Sequence, residues 1–366
     1  MKAALFSLVP YAGPAGHGVW PVPAEPYSAE VAQRSMQVTL DQFELADQVG
    51  FDWVTVAEHH FAPMSLTPNP MVMAGALTQR VKRAKIALLG ANIPILNPVR
   101  VAEEFAMLDT LTGGRVVAGM LRGTTNEYVT NATNPAESRE RFEEAMALII
   151  RAWTEPQPFG WQGRYFEYRT ISIWPRPVQQ PHPPIYMSAS SPEAGDFAAR
   201  HRVSVGFALT TLPLARDAAR YYREQAQLAG WEPVPEDVLY RLLVHVADSD
   251  EQAMEDVAAS PVAELRIPFA LANRALDNAA AGAGYYGRDE AAQRARLRPY
   301  DLHERIELGQ LVVGSPETVI KQIRSLQAEL GAGVLDLTFS PVGPDKTRKA
   351  IELFGSKIIP VMHELN

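Results

Sequence analysis

Residues 86–120, IALLGANIPILNPVRVAEEFAMLDTLTGGRVVAGM, decide the fold. The run 86–90 is apolar and of strand length. Residues 99–111 carry apolar side chains at helical spacing, Gly113-Gly114 stops that helix, and 115–120 is a second apolar run. A strand that shows no polar alternation is covered on both faces, which is the condition of a parallel strand under helices. The same rhythm extends in both directions. Upstream lie a strand at 3–9, a helix at 28–49 capped by Ser28 and ended by Gly50, a strand at 51–56 and a helix at 70–81. Downstream come an amphipathic helix at 137–153, a two-stranded excursion with 159–166 as its turn region, a strand at 183–187, a helix at 192–200 and a strand at 203–209. A helix at 214–229, a strand at 238–246, a helix at 316–330 with proline in its first turn, a strand at 334–339 and a closing helix at 346–365 complete the chain.

Eight strands interleaved with helices predict an α/β chain folded as a (β/α)8 TIM barrel, one domain over 1–366; an open doubly wound sheet is the alternative. Two stretches break the rhythm: the loop 10–27, and the excursion 260–305, which is rich in alanine, arginine and tyrosine and precedes the last barrel unit. In a barrel both belong to the end where the strands' carboxyl termini emerge, the end that carries active sites.

The composition narrows the chemistry. The 366 residues contain no cysteine, which excludes disulfides, iron–sulfur clusters and thiol nucleophiles. Any redox chemistry therefore needs a bound organic cofactor or a metal held by other ligands. A formal charge of -8 argues against a nucleic-acid partner. No stretch supplies the roughly 20 apolar residues of a membrane helix, and the apolar start is broken by Pro10 and Pro14, so a strand is preferred to a signal peptide and a cytoplasmic location is expected.

Glu58-His59-His60-Phe61 follows the second strand. Side chains alternate along a strand, so His59 and His60 are expected to point in different directions, and a metal site built on the pair is not expected. By position alone they serve either as packing and capping groups or as a base or donor near neutrality. Arg122-Gly123 follows the fourth strand, and Arg139 lies in the first turn of the next helix. Each suits either an anion or an ordinary acidic partner. Ser188-Ala189-Ser190-Ser191-Pro192-Glu193 after the fifth strand forms a helix start fit for an anion or a plain serine cap. Together these make a phosphate site plausible. Gly282, Gly284 and Gly287 have GxGxxG spacing, but an alanine-rich run precedes them where the dinucleotide motif needs a strand. Asn131-Ala132-Thr133 matches a glycosylation sequon and is read as chance without an export signal.

The stretch 56–61 with 66–70, then 97–104, 108–115, Arg122-Gly123, Ser138-Arg139, 190–193 and 313–317, resembles in order and spacing the bacterial luciferase-like flavin-dependent monooxygenases. The resemblance implies a barrel that binds reduced flavin mononucleotide delivered by a separate flavin reductase. With O2 the family forms a flavin hydroperoxide, which oxygenates a small organic substrate. It implies a homodimer as well. By position it makes His59 the active-site histidine with Glu58 and His60 beside it. It assigns Arg122, Arg139, Ser190 and Ser191 to the phosphate, and Ala91-Asn92 to the place where the family often holds a non-proline cis peptide against the flavin. Leu121 stands where light-emitting members carry cysteine, so light emission is not implied. Trp20, Tyr285 and Tyr286 are candidate apolar walls, with ordinary packing the favoured alternative. A deazaflavin-dependent hydride-transfer enzyme and a non-catalytic flavin-binding partner subunit are the alternatives.

Overall fold

The computed structural model describes residues 1–15, 20–208, 210–260 and 301–365. Strand β1 (Lys2–Ser7) leads into α1 (Ala29–Val49), β2 (Trp53–Val56), α2 (Pro70–Arg80), β3 (Lys85–Asn92), α3 (Pro98–Thr112) and β4 (Val116–Leu121). A short helix α4 (Thr125–Thr130) and α5 (Ser138–Thr154) precede an antiparallel pair, β5 (Phe159–Gln162) and β6 (Glu167–Ile171). Next come β7 (Ile185–Ser188), α6 (Pro192–His201), β8 (Ser204–Phe207), α7 (Leu212–Leu228), β9 (Val238–Val246) and α8 (Asp250–Ala258). The chain ends with α9 (Leu302–Glu307), β10 (Leu311–Gly314), α10 (Pro316–Leu330), β11 (Val334–Phe339) and α11 (Pro344–Leu353) with its extension.

Strands β1, β2, β3, β4, β7, β8, β9 and β11 pair in parallel in that order, and β11 returns to β1, so the sheet closes as a (β/α)8 barrel. The helices start and stop where local chemistry directs. Asn69, Asn97, Ser191 and Ser315 each accept a backbone amide of the helix they head, and each stands before a proline. Gly50, Gly113 and Gly331 end their helices in the left-handed region. One apolar layer, including Phe43, Phe105, Trp153 and Phe354, lies between barrel and helices. Inside the barrel Ala4, Trp53, Ala87, Leu89, Val117, Tyr186, Leu239 and Val334 form a second layer. That plug closes the barrel below its mouth.

Four local expectations are corrected. Gly90 does not end the third strand, which runs on through Ala91 and Asn92; the glycine is there because a Cβ at Gly90 would lie 2.2 Å from Cγ of Leu121 on β4. Strand β10 was not expected. It adds to the outer half of β9, whose nine residues outreach the barrel. The closing helix is interrupted by a π turn at Phe354–Ile358 ahead of Pro360, whose ring cannot accept the regular helical geometry of the preceding turn. Helices α4, α8 and α9 also lay outside the expected rhythm. Most of the 260–305 excursion, with Tyr285, Tyr286 and the GxGxxG spacing, lies outside the described residues. No helix among the described residues is long and apolar enough to cross a membrane.

Candidate active site

In the loop after β2, beyond the end of the strand, the two histidines take different partners. His59 Nδ1 lies 3.1 Å from Oε1 of Glu127 on α4, and His60 Nε2 lies 3.1 Å from Oε1 of Glu58. Glu58 is buried, and its other oxygen accepts the Asn92 amide at 3.0 Å, so it ties the end of β2 to the end of β3. The Glu58 hydrogen bond outweighs burial and raises the His60 pKa, which favours an imidazolium. His60 borders a cavity of about 140 Å³ lined also by Asn69, Asn97, Arg100 and Glu104. Trp20 is buried against this same loop. Its indole donates to the His60 carbonyl and its ring stacks on Phe61, so it packs the rim rather than standing free as a wall.

Helix α4 organises the other side of the rim. Glu127 is buried; burial pushes its carboxyl up, but hydrogen bonds from His59 and Thr124 together outweigh this and hold it below the usual range. One Glu127 oxygen accepts the Thr124 amide at 2.8 Å and the Thr124 hydroxyl, while the other faces His59. An ionised carboxylate is an acceptor only, so it accepts a hydrogen bond from Nδ1 of His59, and in the neutral tautomer that this selects Nε2 carries the lone pair. The next residue, Tyr128, donates its hydroxyl to the Arg122 carbonyl. One turn of helix thus couples the histidine after β2 to the arginine after β4.

The anion-suited residues gather at the same end. Ser191 caps α6 by accepting from Ala194, and Arg139 Nη2 lies 3.9 Å from Oε2 of Glu193 in the first turn of α6. Glu193's own amide, the Ser191 hydroxyl and then the charges of Arg139 and Arg122 hold the Glu193 carboxyl below its ordinary range. Both arginines therefore act on one helix start, directly after Ser190. Asn92 faces Gly123: a Cβ on that glycine, whose φ is +82°, would meet Asn92 Oδ1 at 3.1 Å. The side-chain nitrogens of Asn92 and Asn126 are buried and have no hydrogen-bond partner among the described residues. Unpaired buried donors are costly and mark a place where an acceptor is expected.

The cis peptide on β3 is Leu89–Gly90, two residues before the expected Ala91–Asn92. The β3–β4 register shifts between Leu88 and Ala91, where Leu121 lies over Gly90. Sequence reading also passed over Glu127, although Thr124-Thr125-Asn126-Glu127 has capping-box spacing, which would have revealed α4.

A basic pair at a helix start, a positive-φ glycine and two unpaired amide donors fit a phosphorylated, hydrogen-bond-accepting cofactor such as flavin mononucleotide. The chain belongs to the luciferase-like monooxygenase family, whose model matches residues 16–333. The oxygenase component of a flavin-dependent trigonelline monooxygenase from Acinetobacter baylyi is 25% identical over 57% of this chain and 59% of that protein. The chain spans about half the length of the curated relatives it matches. The oxygenating constituent of 3,6-diketocamphane monooxygenase from Pseudomonas putida, solved with FMN, superposes at a TM-score of 0.76, with 21% identity over 98% of both chains. An F420-dependent secondary alcohol dehydrogenase superposes at 0.68, with 19% identity over 99% of this chain and 98% of that one. These two likenesses show the fold.

Proposed function

We propose that this chain is the oxygenase component of a two-component monooxygenase that accepts reduced FMN from a separate reductase and oxygenates a small organic substrate. The observation that carries the reading is the coupling of His59 and Arg122 through adjacent residues of α4, which sets a proton acceptor and an anion anchor on one rim. The family match and the trigonelline relative support the activity class. Reduced flavin, when bound, supplies the electrons that make O2 reactive.

The chain's own residues do the rest. Arg122, Arg139, Ser190 and Ser191 bind the phosphate, and the exposed Glu193 gives up Arg139 to it. Ala91 and Asn92 border the ring side, with the Asn92 carboxamide as donor. His59 accepts a proton at Nε2 while Glu127 holds Nδ1, which fixes the ring's tautomer and direction. Glu58 and His60 position the loop: Glu58 anchors it to β3, and its hydrogen bond holds His60 in place. On this reading the chain is one barrel domain, and it works as a homodimer in the cytoplasm.

The deazaflavin alternative is favoured by F420-dependent proteins among both the sequence relatives and the structural neighbours. Anaerobic titration with reduced FMN and with reduced deazaflavin, followed by O2 and a panel of aldehydes, ketones and heteroaromatic acids, tests the proposal. Tight binding of reduced FMN and oxygen-dependent product are expected. Hydride transfer with reduced deazaflavin and no oxygen uptake refutes the oxygenase reading.

A further inference from the structure

Just above the apolar plug the barrel holds a buried ion pair. Arg241 on β9 and Asp336 on β11 are register neighbours, each two residues beyond a plug residue, Leu239 and Val334, and so on the inward face. Arg241 Nε donates to Asp336 Oδ2 at 2.6 Å, and Thr55 Oγ1 donates to Asp336 Oδ1 at 2.6 Å. Arg241 Nη2 reaches the Leu89 carbonyl at 3.4 Å, and the guanidinium carbon stands 3.4 Å from the centroid of the Phe6 ring. Asp336 is fully buried, whereas the Arg241 side chain keeps 16% of its exposure. With the plug beneath it, that exposure opens to the mouth. Nη1 makes no hydrogen bond among the described residues. A buried ion pair does not by itself stabilise a barrel better than the apolar layer below it, so the charge needs another reason.

We propose that Arg241 presents its Nη1 edge to the electron-rich pyrimidine edge of the bound reduced flavin, with Asp336 and Phe6 holding the guanidinium in place. The inference rests on the cofactor reading given above. A reduced flavin that has lost its N1 proton carries negative charge over N1 and the C2 carbonyl, whereas the oxidised ring is neutral. A held guanidinium therefore binds the reduced form more tightly than the oxidised form. A protein that takes reduced cofactor from a partner and returns it oxidised needs that preference.

The test measures dissociation constants of reduced and oxidised FMN anaerobically for the wild type, Arg241→Gln and Arg241→Lys. The wild type is expected to favour the reduced form, and Arg241→Gln to lower that preference about tenfold, which is about 30 mV for a two-electron couple. Arg241→Lys, which keeps the charge, retains most of it. A folded Arg241→Gln protein with an unchanged preference overturns the proposal. Should that variant fail to fold, the wild type decides by acid titration of its bound reduced flavin. Among the described residues the charged group in contact with Arg241 is Asp336, and Phe6 and Leu89 beside it are neutral. The anionic absorbance is expected to persist in more acid solution than for free reduced FMN, and coincident curves overturn the proposal. If the wild type binds neither reduced FMN nor reduced deazaflavin, the cofactor reading falls and takes this inference with it.

Discussion

Replacing Glu127 by glutamine changes one atom of a carboxylate that accepts from Thr124 on one side and faces His59 on the other. The carboxylate accepts on both sides, from the Thr124 amide at 2.8 Å and from His59 Nδ1 at 3.1 Å. A carboxamide accepts on one side only. If its oxygen stays with the Thr124 cap, its NH2 faces His59 and forces Nδ1 to accept, which moves the ring proton to Nε2. The nitrogen turned to the mouth then has no lone pair. If its oxygen stays with His59, the NH2 opposes the Thr124 amide and the cap of α4 is lost. The first arrangement costs one charge-assisted bond, about 1.5–3 kcal/mol, and the second costs about 1 kcal/mol of capping as well. Proton transfer by a positioned base is worth on the order of 10²–10⁴ in rate, so kcat is expected to fall by that order while FMN affinity changes little. The assay is 15N NMR of His59 in both proteins, paired with oxygen-dependent product formation. A wild-type and a variant His59 with the same Nδ1–H tautomer and the same turnover refute the reasoning.

Arg122→Ala is expected to weaken FMN binding by about 1.5–3 kcal/mol, the range of a hydrogen bond to a charged group; an unchanged dissociation constant places the phosphate elsewhere. The raised His60 pKa makes the folded state favour the imidazolium, so its contribution is complete below the ordinary value of 6.5 and is lost as pH rises through the higher folded value. The buried His245, whose pKa burial lowers, works in the opposite sense. The melting temperature of the wild type minus that of His60→Gln is therefore expected to decline across that window, and a flat difference contradicts the pairing. Gly119→Ala places a Cβ 2.1 Å from the Leu88 carbonyl and is expected to destabilise by about 1–3 kcal/mol or more, whereas Gly75→Ala in α2 meets nothing within 4 Å and is expected to stabilise by about 0.5–1 kcal/mol. Equal denaturant midpoints for the two variants contradict this contrast.

What the chain states locally is read without the fold. Asn69 before Pro70, Asn97 before Pro98 and Ser191 before Pro192 head helices because a cap bonds to amides two or three residues away. Gly50 and Gly113 end them for an equally local reason. The apolar runs of β2, β4, β9 and β11 identify strands covered on both faces, and their alternation with helices sufficed for the barrel and for the side on which His59, Arg122 and Ser191 emerge.

Partners were another matter. His59 meets Glu127 across 68 positions, and Arg241 meets Asp336 across 95. No periodicity links such residues; closure of the sheet brings them together. The role of Gly90 depends on Leu121 of the neighbouring strand, and its reading as a strand stop failed because a glycine that ends a strand and one that admits a side chain look alike in a sequence. Strand β10 is visible only against the overhang of β9. The residue types at the mouth were set by the chain, and their pairing, burial and proton positions were set by the closed barrel, because electrostatics and hydrogen bonds act over a few ångströms of space irrespective of distance along the backbone.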